Sequence, residues 1–154
     1  MNNSVGKVLV LLLIAFALAG CSKTPSGPAS VAETSAACAD LADRVRFIEH
    51  YVTFRRKYEQ LDYDVTYQNN GGGIVPGSSD WDIRLIAAVP PTDVDGWIPT
   101  GAEKKDGSPP QWLRDLPGSI EREGITEWYR KSGAELGIDR ARSIVAYRNT
   151  STPN

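Results

Sequence analysis

The sequence predicts an α+β domain, in which one long N-terminal helix packs on a mostly antiparallel sheet of about 4–5 strands. Two observations lead to this fold class. Apolar residues recur with helical spacing between positions 41 and 61, and a period of two takes over from position 63. One helix followed by strands that are mostly joined by hairpins is typical of α+β folds.

The helix prediction rests on a start signal and two apolar stripes. Ser30 and Glu33 form an S-x-x-E capping pattern. We expect the aliphatic stripe to meet the sheet, and the aromatic stripe to lie under a long loop or to form a binding surface, because buried tyrosine hydroxyls need partners. The stripes are Leu41, Val45, Ile48 and Val52, and then Phe47, Tyr51, Phe54, Tyr58 and Leu61. Arg44 and Arg55 fall between them, either snorkelling or paired with carboxylates.

Alternating apolar residues predict the strands. The pattern is clear at 63–67 and 81–89, and three further strands at 126–131, 134–138 and 143–147 are separated by tight hairpins at 132–133 and 139–142. Short helical turns are expected at 92–97 and 111–116, on either side of a polar loop rich in proline and glycine.

The N-terminus has the pattern of an export signal. Lys7 precedes an unbroken apolar run of 11 residues at 8–18, and small residues follow it. A membrane-spanning helix needs about 20 apolar residues, so this run is too short to cross a bilayer.

Leu18, Ala19, Gly20 and Cys21 resemble the lipobox of bacterial lipoproteins at all four positions. The resemblance implies diacylation of the Cys21 thiol, cleavage before Cys21 and acylation of its new amine. Ser22 resembles the residue type that directs lipoproteins to the outer membrane. We therefore expect a signal peptide (1–20), a lipid-anchored tether (21–29), one α+β domain (30–150) and a disordered tail (151–154), on the periplasmic face of the outer membrane.

Composition and rare residues exclude several functions. Cleavage of the signal peptide would also remove Lys7, which leaves 16 basic and 19 acidic residues and a net charge of −3. This charge provides no basic footprint for nucleic acid. His50 is the single histidine, and no cofactor or metal site is predicted; the three D-x-D pairs are interpreted as solubilising charge. With Cys21 lipidated, Cys38 is expected to be a lone, buried, small side chain.

Aromatic residues are the candidates for recognition. Trp97 and Trp112 flank the polar loop, and together with Tyr51 and Tyr58 they are the predicted binding residues, because exposed aromatic side chains suit a protein partner or a sugar ring. Residues 73–84 and 137–140 are similar to small bacterial exported proteins of no assigned activity, so this resemblance implies no function.

The sequence therefore predicts a membrane-tethered periplasmic lipoprotein that acts as a non-enzymatic binding module for another envelope protein, as an assembly accessory or as an inhibitor. The alternative is a lipoprotein that binds or cleaves cell-wall sugar through carboxylates such as Asp80, Asp82 and Glu127. Glycoside cleavage would require two carboxylates about 5 to 9.5 Å apart in a cleft.

Overall fold

Seven strands form one antiparallel sheet in the computed structural model, which describes residues 30–54, 56–70 and 78–152. The strands are β1 (Val31–Thr34), β2 (Gln60–Gln68), β3 (Asp80–Ala88), β4 (Glu103–Lys105), β5 (Glu127–Lys131), β6 (Ala134–Asp139) and β7 (Ile144–Thr150). Their order across the sheet is β1-β2-β3-β7-β6-β5-β4. The long connection from β3 to β4 and α2 therefore leads to the far edge, and the chain returns to the centre through hairpins.

The described helices are all short. Helix α1 (Leu41–Tyr51) has 11 residues and α2 (Gln111–Asp115) has 5. Two 3-10 helices span Ser35–Ala37 and Pro91–Trp97. Within the described ranges, no helix has the length and apolar character needed to cross a bilayer.

The predicted α+β fold with one long helix and 4–5 strands is wrong, since the domain is mainly β. Helix α1 ends at Tyr51, and Leu61 belongs to β2 instead. Leu61 satisfies both patterns, because it continues the helical spacing and also begins the alternation with Tyr63 and Val65. Pairing of Tyr63 with Leu85 on β3 decides in favour of the strand.

The helix start was also mispredicted. The segment with the S-x-x-E pattern contains β1, whose Val31 pairs with Tyr67 of β2. The N-cap of α1 is Asp40, whose side chain accepts a hydrogen bond from the Asp43 amide at 2.8 Å. A local capping pattern was overridden here by pairing with a strand that lies far away in the sequence.

The sequence showed no signal for β4, because its three residues are exposed and charged. Strands β2, β3, β5, β6 and β7 and both short helical turns were located correctly to within a few residues. The hairpin between β5 and β6 turns at Ser132 (φ 47°) and Gly133 (φ 79°). Two successive residues of positive φ match the twist of flanking strands in a two-residue hairpin.

The first face of the sheet carries the larger core. Helix α1 buries Ile48, which is 0% exposed, and stacks Phe47 on Tyr63 of β2 with ring centroids 5.1 Å apart. Phe54 meets the ring of Tyr147 on β7 edge-on at 4.7 Å. The aromatic and aliphatic stripes therefore both pack against the sheet. The expectation that the aliphatic stripe alone would meet the sheet is wrong.

Candidate functional site

The second face of the sheet is divided into an apolar part and a polar part. Helix α2 and residues 116–125 pack an apolar core against it, which includes Ile86, Trp128 and Ala146. Further along the same strands, towards Thr66 and Thr150, the side chains are polar and partly exposed. This polar part offers charged and hydrogen-bonding side chains at a partly open surface of the sheet.

Charged residues stand side by side across the polar part on five successive strands. Asp64 is opposite Arg84, Arg84 opposite Arg148, Arg148 opposite Glu135, and Glu135 opposite Arg130. Asp82 lies two residues from Arg84 along β3 and therefore on the same face. We call Asp64, Asp82, Arg84, Arg130, Glu135 and Arg148 the charged row.

Asp82 is the centre of the charged row. Its carboxylate accepts hydrogen bonds from Arg84 Nε at 3.0 Å and Nη2 at 2.5 Å, and from Arg148 Nε at 2.9 Å and Nη2 at 3.1 Å. Burial acts to raise the pKa of Asp82, but the hydrogen bonds from Arg148 and Arg84 outweigh it and hold that pKa below its ordinary value. The carboxylate is therefore ionised and fixed in position.

Glu135 connects the charged row to helix α2. It pairs with Arg130 and accepts a hydrogen bond from Trp112 Nε1 at 2.9 Å. Burial acts to raise the pKa of Glu135, and the hydrogen bonds from Arg130 and Trp112 more than compensate, so its pKa is lowered. The hydrogen bond from Trp112 thus holds Glu135 in place from the side of the row that faces α2.

A cavity of about 270 Å³ lies beside the charged row. Its lining includes Asp80, Asp82, Arg148, Thr150 and Ser151. A general acid needs a pKa near the working pH, whereas Asp82 is held ionised. The arrangement suits recognition of fixed polar groups better than proton transfer.

Three of the four predicted binding residues, Trp97, Tyr58 and Tyr51, lie in or beside the first core. Trp97 is 4% exposed, with its ring centroid 4.8 Å from Phe54 and 5.7 Å from Tyr58. Tyr58 is half-buried and donates its hydroxyl hydrogen to Glu49 at 2.8 Å. Trp97 has no surface to offer a partner without rearrangement of this core.

Trp112 and Tyr51 lie on opposite faces of the sheet. Trp112 is 5% exposed and meets Trp128 edge-on at 6.1 Å in the second core. Tyr51 is half-buried on the first face, 6.1 Å from the ring of Tyr67. The four predicted residues therefore do not form one recognition surface.

The carboxylates proposed for sugar cleavage are separated as well. Asp80 and Asp82 share the second face, but Glu127 belongs to the first face, because its β6 partner Ile138 lies in the first core. A hydrogen bond from Arg140 and a second from Tyr129 lower the pKa of Glu127. Asp82 and Glu127 cannot flank one glycosidic bond across the sheet, which argues against cleavage by this pair.

The environment of Cys38 differs from the expectation in one respect. Cys38 is buried, at 1% exposed, and its sulfur lies 3.2 Å from the Tyr63 hydroxyl. The sulfur is disulfide-bonded rather than a lone thiol. Cys21, the predicted lipidation residue, lies outside the described residues. Since the chain has two cysteines, a Cys21 that carries lipid on its sulfur has no thiol left for Cys38.

Other candidates are occupied by structural contacts. His50 lies edge-on to Tyr51 at 5.1 Å. Asp95 pairs with Arg140 at 2.6 Å. Across the described part of the chain, no group of three or more His, Cys, Asp or Glu side chains is arranged to hold a metal ion.

Comparison with family models, with curated proteins and with solved structures found no match to this chain.

Sequence reasoning did not identify Arg84, Glu135 and Arg148 as one cluster. Arg84 and Glu135 lie on predicted strands at positions that face away from the first core, and Arg148 lies one residue beyond the strand predicted at 143–147. This alternation was the available signal. Their proximity depends on β3, β7 and β6 being neighbours, and local periodicity does not report strand order.

Proposed function

We propose that this protein is a lipid-anchored, non-enzymatic binding module that docks on another envelope protein through its charged row. The observation that carries the proposal is the arrangement of Arg84 and Arg148 around Asp82 on the polar part of the sheet. Arginine is enriched among the residues that dominate binding energy at protein interfaces. Side chains held by hydrogen bonds on a rigid sheet lose little conformational entropy on binding.

The charges of the row favour a polar partner of mixed charge. Asp64, Asp82 and Glu135 balance Arg84, Arg130 and Arg148, so the row has no net charge to steer a strongly acidic or basic ligand. A surface of fixed charges of both signs instead selects a partner whose charges are arranged in the complementary order. An accessory subunit or an inhibitor would use such a surface.

The lipobox supports a membrane anchor at Cys21. Because the chain has two cysteines, this anchor is an alternative to the disulfide of Cys38 and requires that Cys21 carry lipid instead. Such an anchor restricts the choice of partner. With Cys21 acylated, residues 22–29 span at most about 26 Å at about 3.3 Å per residue. The domain would stay close to the membrane, on the periplasmic face of the outer membrane if Ser22 acts as expected. A partner in the same envelope compartment is then the accessible one.

Site-specific photocrosslinking tests the docking surface. A photoreactive residue at the exposed Thr66, next to the charged row, should give a discrete crosslink to one envelope protein, and the same residue at Glu121 should not. Thr66→Arg adds bulk at an exposed position and should abolish the crosslink that forms when the photoreactive residue is placed instead at the exposed Gln68, which lines the same cavity. Thr53→Arg is the matched control on the opposite side of the sheet. Equal crosslinking from Thr66 and Glu121 contradicts the proposal.

Acyl-chain labelling with membrane fractionation tests the anchor. Wild-type protein should take up the label and sediment with membranes, and Cys21→Ser should do neither. Cys38→Ser should still be labelled, because it leaves the lipid-accepting thiol intact. A wild-type chain without label, with Cys21 and Cys38 joined by a disulfide, contradicts the lipoprotein interpretation.

A further inference from the structure

The most exposed large apolar side chain in the described part of the molecule lies where the tether joins the domain. Trp81 is 37% exposed, a larger exposed fraction than that of any other large hydrophobic residue among those described. It occupies the same row of the sheet as Val31, since Val31 pairs with Tyr67 and Tyr67 pairs with Trp81. With neighbouring strands about 4.8 Å apart, the start of β1 lies roughly 10 Å from Trp81.

Two tyrosines accompany Trp81 at this end of the first face. Tyr67 stands directly opposite Trp81 on the neighbouring strand, and the ring of Tyr51 lies 6.1 Å from that of Tyr67. Both tyrosines are partly exposed. We call Tyr51, Tyr67 and Trp81 the aromatic rim.

The polar groups of Trp81 and Tyr67 in the rim have partners within the protein. Trp81 Nε1 donates to Asn149 Oδ1 at 2.7 Å, and the Tyr67 hydroxyl donates to Ser79 at 3.1 Å. The Trp81 hydrogen bond restricts the indole orientation, so much of what the ring exposes is apolar. Exposed tryptophan and tyrosine side chains with apolar rings are enriched at the boundary between membrane and water.

We propose that the aromatic rim rests in the lipid headgroup layer of the membrane that holds Cys21. The inference rests on the lipid anchor of the proposed function. Nine residue steps separate Cys21 from Ser30, which is about 30 Å when fully extended and roughly 17 Å for a flexible chain. Because β1 begins beside the rim, this end of the sheet is the one brought to the bilayer. The anchor and the rim together fix the orientation of the domain.

This orientation agrees with docking through the charged row. The strands run away from the membrane, and the second face of the sheet points sideways along the surface. A partner in the same membrane can then reach the charged row while the rim remains in contact with lipid.

Fluorine NMR of the lipidated chain tests the proposal. The chain is labelled with 5-fluorotryptophan and placed in phosphatidylethanolamine–phosphatidylglycerol vesicles, some of whose lipids carry a nitroxide on the headgroup. Trp81→Phe identifies the Trp81 signal. That signal should lose most of its intensity to the nitroxide, whereas the signals of Trp97, Trp112 and Trp128 should keep most of theirs. The non-lipidated Cys21→Ser chain should show no selective loss.

The outcomes separate this proposal from the anchor itself. If the chain is acylated and membrane-bound, but Trp81 responds to a water-soluble gadolinium chelate and not to the nitroxide, the rim faces water and the inference is wrong while the anchor stands. If Trp81 is protected from both reagents, protein covers it and the lipid contact is wrong. A chain that takes up no acyl label overturns both.

Discussion

The guanidinium of Arg44 donates a hydrogen bond to the carboxylate of Asp62 at 2.9 Å, and this pair joins α1 to β2. Asp62 is 3% exposed, and its second oxygen accepts hydrogen bonds from the amides of Ser119 at 2.7 Å and Ile120 at 3.1 Å. One carboxylate thus links a helix, a strand and the segment that follows α2. The two residues contribute to architecture rather than to the charged row.

Replacement of Asp62 by alanine should lower the free energy of unfolding by about 3–5 kcal/mol, because it leaves a guanidinium and two amides without their acceptor. Asp43→Ala removes a carboxylate that pairs with Arg46, whose side chain is 70% exposed, and should cost about 1 kcal/mol or less. Urea denaturation of both purified variants measures the difference. Equal costs would mean that Asp62 is not a structural centre.

Gly118 should tolerate no side chain, because of its contact with Asp62. It has a φ of 128°, and a Cβ there would lie 2.2 Å from Asp62 Oδ2. Gly101 has a φ of 75° and open space around it, so Gly101→Ala should cost only the backbone strain, about 1–2 kcal/mol. Gly118→Ala should cost more in the same denaturation experiment. Its cost should shrink but not vanish when it is combined with Asp62→Ala, since the contacts with Asp62 Oδ2 and Cγ at 2.2 and 2.3 Å are removed while the contact with Cβ at 2.6 Å remains.

Acid should destabilise the protein through Asp82. Its ordinary pKa is 3.8 and the folded value is lower, so its stabilisation is present above about pH 4 and is lost as the pH falls through the folded value. Asp82→Asn should be less stable at pH 7 but should lose less stability between pH 5 and pH 2. Thermal melting across this range measures both slopes. Identical slopes would mean that the arginines do not lower the pKa of Asp82.

Both stripes of α1 should prove to be core. Ile48→Ala should cost about 2–5 kcal/mol and Phe47→Ala about 3–5 kcal/mol, the ranges for such cavities. Arg46→Ala changes an exposed position of the same helix and should stay within about 0.5 kcal/mol. Denaturant melts compare the three variants. If Phe47→Ala behaves like Arg46→Ala, the aromatic stripe does not contribute to the core.

Features that depend on neighbouring residues were predictable from the sequence. Periodicity located β2, β3 and the three C-terminal strands, and it indicated that Arg44 could pair with a carboxylate; Arg55 lies outside the described residues. The lipobox is also a local pattern, and it stays a prediction.

Tertiary structure decided the rest. Val31 and Glu33 read as the start of a helix until pairing with β2 made them an edge strand. Trp97 and Trp112 flank an exposed loop in the sequence, yet packing buries both. Arg148 reaches Asp82, which lies 66 positions away in the sequence, because β3 and β7 are neighbours. A sequence period reports which way a side chain faces along its own strand, whereas strand order and register determine what it meets, and these are set by long-range burial.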